Sequence, residues 1–277
     1  TTAKDLVKRA YEWGHKAIAI TDHGVMYGAV NFFRECQAQG IHPVIGCEVY
    51  VAPGSRFDKN PSAGSPYHLV LLCENQTGYR NLIYLVSKGF TDGFYSKPRV
   101  DKELLRSHHE GLIALSACLA GEIPRRLLRQ DEAGAEETAR WYADTFGPEH
   151  FYLELQDHGL EEQKAVNAGL VRLAQKTGLP LVCTNDVHYL EKDDAQMQRV
   201  LCCIQTGTTL DEPSTLAFPT EEFWLKSGDE MAALFPALPQ AVENTVKIAE
   251  RCRLTIPFGT LQLPRFDVPG GDSDAYM

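Results

Sequence analysis

The chain has 277 residues, of which 44% are apolar and 23% charged, an ordinary globular balance with ample material for a packed core. Its formal net charge of -10 excludes broad, non-specific nucleic-acid binding through a basic surface, though not a local site where metal ions supply the positive charge. No apolar run approaches the ~20 residues of a membrane span, and the polar start "TTAKDLVKRA" has no signal-peptide pattern.

In chain order, residues 4–13 have helical period and Gly14 follows as a stop. "KAIAITD" reads as a strand, 25–38 as a helix, and "HPVIGCEVYVA" (42–52) as a strand ahead of a polar loop. "HLVLLC" (68–73) is a further strand, followed by a helix through Leu82, Leu85 and Val86. "GLIALSACLA" (111–120) reads as a buried strand, 134–145 as an amphipathic helix, and "FYLELQDHG" (151–159) as a strand. Residues 161–177 are helical, and "LPLVCTNDVHYL" (179–190) is a strand running into a polar turn. From about 219 the texture changes: one short strand, "EFWLKS", then helices near 228–235 and 239–252, and a linker-like tail over 263–277.

Strands alternating with helices imply an α/β fold with a mainly parallel sheet covered on both faces. A (β/α) barrel and an open doubly wound sheet both fit this length. The absence of G-x-G-x-x-G and of a P-loop favours the barrel.

Metal-binding residue types fall at the carboxyl ends of the apolar runs. Asp22 and His23 follow "AIAIT", Glu48 follows "PVIGC", Cys118 follows "LIALSA", Asp157 and His158 follow "FYLELQ", and Asp186 and His188 follow "LPLVCTN". In a parallel barrel these ends meet on one rim. Asp186 and His188, two apart on an extended segment, would face the same side. Asp22 and His23 are adjacent and would diverge unless Gly24 turns the chain. His68 begins its run, so it joins the rim only if that strand runs antiparallel or the preceding loop carries it there.

A mixed His, carboxylate and Cys set suits zinc or another first-row divalent ion. Clustered ions on a rim suit hydrolysis, because they generate hydroxide and stabilise phosphoryl charge. The eight Cys include no C-x-x-C pair and read as free thiols, mostly buried; Cys47 and Cys183 read as packing residues. His15, His108 and His109 read as solvated, and His42 as a strand cap.

The segments "AITDHGVMYGAV", "PVIGCEVYV", "YHLVLLCENQTGYRNL", "GLIALSACLAGEIP" and "TNDVHY" resemble the PHP (polymerase and histidinol phosphatase) domain. "GFYSKPRVDKELL" and "ENTVKIAERC" narrow the likeness to the PHP domains of bacterial DNA polymerase III alpha subunits. The resemblance implies a distorted (β/α)7 TIM-like barrel holding up to three divalent ions, zinc or manganese. It places the metal ligands on His23, Glu48, His68, Cys118, Asp186 and His188, with Asp22, His23, Asp186 and His188 as the catalytic set and Asp22 orienting or polarising a ligand. Asp157 and His158 fall outside the family's ligand set and stand as supporting, substrate-contacting or turn residues. The family's first motif, a strand with a His-x-His pair and a downstream acid, would precede Thr1; the resemblance thus implies that this strand and three ligands are missing here.

The function so implied is metal-dependent 3′–5′ exonuclease proofreading on the 3′ end of a DNA primer strand, within a bacterial cytoplasmic polymerase. Lys97 and Arg99 are candidate phosphate contacts. One alternative is a non-catalytic module that stabilises the polymerase and docks a separate proofreading exonuclease subunit. Another is a small-molecule phosphatase. The expected organisation is a PHP domain over 1–262, with its barrel core to about 218 and a helical part over 219–262. A linker over 263–277 would lead to the remainder of the polymerase alpha chain.

Overall fold

The computed structural model describes residues 1–212, 216, 218–259 and 268. The expected linker over 263–277 lies outside the described residues, apart from residue 268.

The first turn of the chain shows how local chemistry starts each element. Thr2 accepts the Asp5 N–H and begins α1 (Ala3–Glu12), which buries Val7 and Ala10. The chain then enters β1 (Ala17–Ile20), α2 (Ala29–Gln39) and β2 (His42–Val51), whose residues from Pro43 onward are all buried. A polar loop leads to β3 (Tyr67–Cys73). Asn75 caps α3 (Gln76–Thr91) by accepting from Thr77 and Gly78. Gly78 is required there: a Cβ would lie 1.7 Å from the carbonyl oxygen of Gly111. Next come β4 (Arg99–Val100), α4 (Lys102–Ser107) and β5 (Leu112–Leu115). They are followed by α5 (Glu122–Leu128), α6 (Glu132–Phe146), β6 (Phe151–Leu155), α7 (Glu161–Thr177) and β7 (Leu181–Cys183). The remainder is helical: α8 (Ala195–Thr206), α9 (Gly228–Leu234) and α10 (Pro239–Arg251).

The strands form one curled half-barrel sheet in the order β1-β2-β3-β5-β6-β7, with β4 paired to β2. Neighbours are parallel except around β3, which is antiparallel to both β2 and β5. The sheet is thus mainly parallel, as expected, with β3 the antiparallel strand. That reversal places the start of β3 beside the carboxyl end of β2, with His68 opposite Tyr50. Among the described residues β1 and β7 are the ends of the sheet, each with one strand neighbour. Helix α10 packs along β7, where Asn244 Nδ2 donates to the Leu181 carbonyl at 2.8 Å and satisfies an edge acceptor. The core beneath the sheet is aliphatic and aromatic; Tyr142 of α6 stacks on Phe151 of β6, with centroids 5.2 Å apart.

The strand expected to open 179–190 forms as Leu181–Cys183 and runs into a turn, but 186–188 is not the extended segment expected, because Asp186 takes φ 44°. "EFWLKS" is no sheet strand either; Trp224 makes an isolated bridge to Tyr189, and the His188 N–H donates to the Phe223 carbonyl at 2.8 Å. The two segments close on each other, away from the sheet.

Candidate metal centre

Asp22 and His23 leave β1 in opposite directions. The Asp22 carboxylate turns back to accept the Gly28 N–H at 3.0 Å, at the start of α2, while its carbonyl accepts the Glu48 N–H at 3.1 Å. Gly24 completes the turn at φ 67°, and a Cβ there would meet the Tyr50 ring at 2.8 Å. His23 is thereby free to reach across to Glu48 of β2. Asp22 supports the turn and is not gathered among the converging side chains.

Three side chains meet at one point. Glu48 Oε1 lies 3.2 Å from His23 Nε2 and 2.5 Å from His68 Nδ1. The ligand atoms of His23, Glu48 and His68 all lie within 4.8 Å of one another. His68 stands edge-on to Tyr50, with centroids 5.1 Å apart, and Cys118 Sγ sits 3.6 Å from His68 Nδ1. On the other side His188 stacks obliquely 5.8 Å from His23, walled by Phe218 and Phe223. Asp186 Oδ1 is 3.8 Å from His188 Nδ1. Asp186 and His188 do converge, but through a turn at Asp186 and not through the pleat of an extended strand.

Burial pushes the Glu48 carboxyl up, but the contacts with His23 and His68 outweigh it and bring it down to about 2. His23 is raised in turn, chiefly by Glu48. Burial pushes Asp186 up, with His188 pulling it back. The Cys118 thiol is driven well above its ordinary range, first by burial and then by the Glu48 and Asp186 charges. This crowd of anions around imidazoles favours a cation in their midst.

The donor set fits a divalent ion on one further observation. Glu48 Oε1 is fully buried, yet neither imidazole contact has hydrogen-bond geometry, so the oxygen has no aligned donor. Lone pairs from carboxylate and imidazole that point at a common space without bonding each other are arranged as ligands. Nitrogen, oxygen and sulfur together suit zinc or a similar first-row ion.

The remaining candidates separate by burial. Arg99 is not a phosphate contact: it is 2% exposed, and its guanidinium donates to the carbonyls of Gly93, Arg56 and Asp58 at 2.8–3.1 Å. Lys97 is exposed, sits 5.4 Å from the Tyr50 ring centroid, and lowers the His23 pKa by its charge. His158 is fully buried, which excludes substrate contact. It stacks on Phe223 at 4.1 Å, its Nδ1 accepts from Gln163, and its Nε2 donates to the Asn185 carbonyl at 2.7 Å. It thus holds the loop that carries Asp186. Asp157 makes a turn, accepting the Gly159 N–H at 2.9 Å. His15, His108 and His109 are partly buried, not fully solvated, and lie outside the cluster. His42 is the first residue of β2 and does not cap that strand; its Nε2 lies 2.5 Å from the carbonyl of Cys252, at the end of α10. The thiols are all free, and all are buried except the partly exposed Cys118.

Sequence reasoning missed Glu154 and the two phenylalanines beside His188. The signal for Glu154 was present as a lone acid inside the apolar run "FYLEL". Nothing local marked Phe218 or Phe223, which reach His188 only through the fold.

The PHP domain family model matches residues 1–158. The chain is 50% identical over 266 residues to the DNA polymerase III subunit alpha of Treponema pallidum, covering 95% of this chain and 23% of that protein. It is 44% identical to the same subunit of Thermus aquaticus, covering 94% of this chain and 22% of that protein. The chain thus spans under a quarter of the length of these relatives. Among solved structures, a Bifidobacterium adolescentis protein described as a candidate metal-dependent phosphoesterase aligns with a TM-score of 0.43. That alignment has 14% identity and covers 67% of this chain and 82% of the other.

Proposed function

The chain belongs to the PHP domain family, and from that premise we propose that it is the metal-dependent phosphodiesterase domain of a bacterial DNA polymerase III alpha subunit, removing nucleotides from the 3′ end of a DNA primer strand. The observation that carries the reading is the convergence of His23, Glu48 and His68 on one space, with Cys118 and the Asp186–His188 pair against it. Up to three zinc or manganese ions would be held at these six residues.

Bound divalent ions supply Lewis acidity toward a phosphodiester. The residues do the rest. Glu48, Asp186 and the Cys118 thiolate would provide negative charge and the three imidazoles neutral donors, so two or three divalent ions would keep a net positive charge toward the substrate. Lys97, at the exposed rim, contacts a backbone phosphate, and the Tyr50, Phe218 and Phe223 rings wall the centre against solvent. Asp22 keeps His23 in place by fixing the turn. Recognition of strand end and backbone, with little base reading, suits so small a set of polar groups. No helix of the described residues is long and apolar enough to cross a membrane.

The test uses the full polypeptide with a 3′-labelled primer–template. The wild type is expected to release mononucleotides, to stop on chelation and to resume with added zinc or manganese. The Asp186→Ala, His188→Ala double variant is expected to lose excision while extending primers normally. Excision that persists in the double variant under metal control would sink the assignment.

A second reading has its own observation. On α8, Met197, Leu201 and Ile204 are 63%, 51% and 71% exposed along one face. Such a face suits contact with the remainder of the polymerase chain or with a separate exonuclease subunit, with the metal centre then structural. Bound metal, no excision and firm binding of an exonuclease subunit would favour it.

A further inference from the structure

Glu154 is 4% exposed on β6, with apolar neighbours on either side. β6 lies between β5 and β7 in the sheet, so a side chain near its carboxyl end can reach the loops leaving both neighbours. Glu154 does reach both. Its Oε2 accepts the Ala117 N–H at 2.9 Å. Its Oε1 accepts the Thr184 hydroxyl and the Gln156 Nε2–H. Its own backbone N–H donates to Ser116 Oγ at 2.8 Å. Ala117 immediately precedes Cys118, and Thr184 lies two residues before Asp186.

Both loops are strained where they deliver a ligand. Ala117 sits at φ 63° and Asp186 at φ 44°, conformations that residues with a Cβ rarely adopt. Such backbone persists only where its surroundings over-determine it. The Ala117 N–H has left the β5–β6 ladder and would be an unpaired buried donor without the carboxylate.

Resting on the reading of Cys118 and Asp186 as metal ligands, we propose that Glu154 is a positioning residue, one carboxylate that braces both strained loops and fixes the Cys118 sulfur and the Asp186 carboxylate relative to each other. Glu154 is not itself a ligand, because both of its oxygens are taken up by protein donors. Its location is unfavourable: burial pushes the carboxyl up to about 7, against the Thr184 and Gln156 hydrogen bonds that pull it back. An apolar residue would pack there at lower cost, so the acid is explained by what it holds.

The test is cobalt binding by the full polypeptide, followed through its visible absorption. Glu154→Ala and Thr184→Val are expected to weaken binding by about 10–100-fold and to shift the bands. Thr184→Ser, which keeps the hydroxyl, is expected to bind within about threefold of wild type, with its spectrum. Thr184→Val preserves volume and gives a folded protein to test even if Glu154→Ala does not fold. A Thr184→Val protein with wild-type affinity and spectrum overturns the brace. So does a Thr184→Ser protein that fails to restore them. Wild-type protein that binds no cobalt overturns the ligand reading, and the brace falls with it; wild-type binding with indifferent variants overturns the brace alone.

Discussion

Cys118 Sγ lies 3.6 Å from His68 Nδ1, although the two arrive from different strands of opposite direction. The contact exists because β3 runs against β5, so the start of one strand meets the loop that leaves the other. A thiol held that close to an imidazole becomes a ligand only by losing its proton, which burial opposes in the absence of a cation. Cobalt-loaded protein is therefore expected to show a thiolate-to-cobalt charge-transfer band that Cys118→Ser lacks, with affinity lowered at least about tenfold. A near-ultraviolet spectrum unchanged by the substitution would place the sulfur outside the metal centre.

Glu48 joins both imidazoles, so its loss should uncouple metal from stability. For the wild type, zinc at about 100 times its dissociation constant is expected to stabilise the fold by about 2.7 kcal/mol. Glu48→Gln is expected to lose most of that increment while remaining folded without metal. Differential scanning calorimetry with and without zinc makes the comparison; an undiminished metal-induced rise in Tm would remove Glu48 from the ligand set.

Glu154 gives a pH signature in the metal-free protein. Its folded pKa, raised to about 7 by burial, exceeds the ordinary carboxylate value of 4.5. Between those values the folded state binds more protons than the unfolded state, so the wild type loses stability as pH rises through the window and levels off above it. Glu154→Gln does not titrate. Its stability relative to wild type is expected to grow from pH 5 to pH 7, by on the order of 2–3 kcal/mol, and then stay constant. Urea unfolding across that range would show it, and a pH-independent difference would refute it.

Lys97 and Arg99 are two residues apart and should behave oppositely. Arg99→Ala removes three charge-assisted hydrogen bonds to carbonyls, the one to Gly93 fully buried, and is expected to cost about 3 kcal/mol of stability. Lys97→Ala is expected to stay within about 0.5 kcal/mol of wild type. It should instead weaken DNA binding and flatten the salt dependence by about one ion. Thermal melts and a salt titration of DNA binding separate the two effects; equal stability losses would mean that Lys97 too is structural.

The ligand types at the ends of "AIAIT", "PVIGC", "LIALSA" and "LPLVCTN" were legible in the chain because strand periodicity and its termination are local properties. So was the placing of the helices from 134–145 and 161–177, whose apolar stripes repeat within a few residues. His68 was ambiguous for a physical reason: strand direction depends on which neighbour a strand pairs with, and no local pattern encodes that. The alternation that suggested an extended "TNDVHY" could not reveal the turn at Asp186, which Glu154 and His158 hold from outside the segment through Thr184 and Asn185.

By itself, then, the sequence determined which residue types stand at the strand ends, and hence the chemistry available to a metal. Only the tertiary structure decided their parts. It buried Arg99 and left Lys97 exposed, turned Asp22 toward α2 and His23 toward Glu48, and put Glu154 between two strained loops. Those outcomes depend on burial and on hydrogen-bond partners that are tens of residues away, and such partners exist only once the sheet has curled and brought its strand ends together.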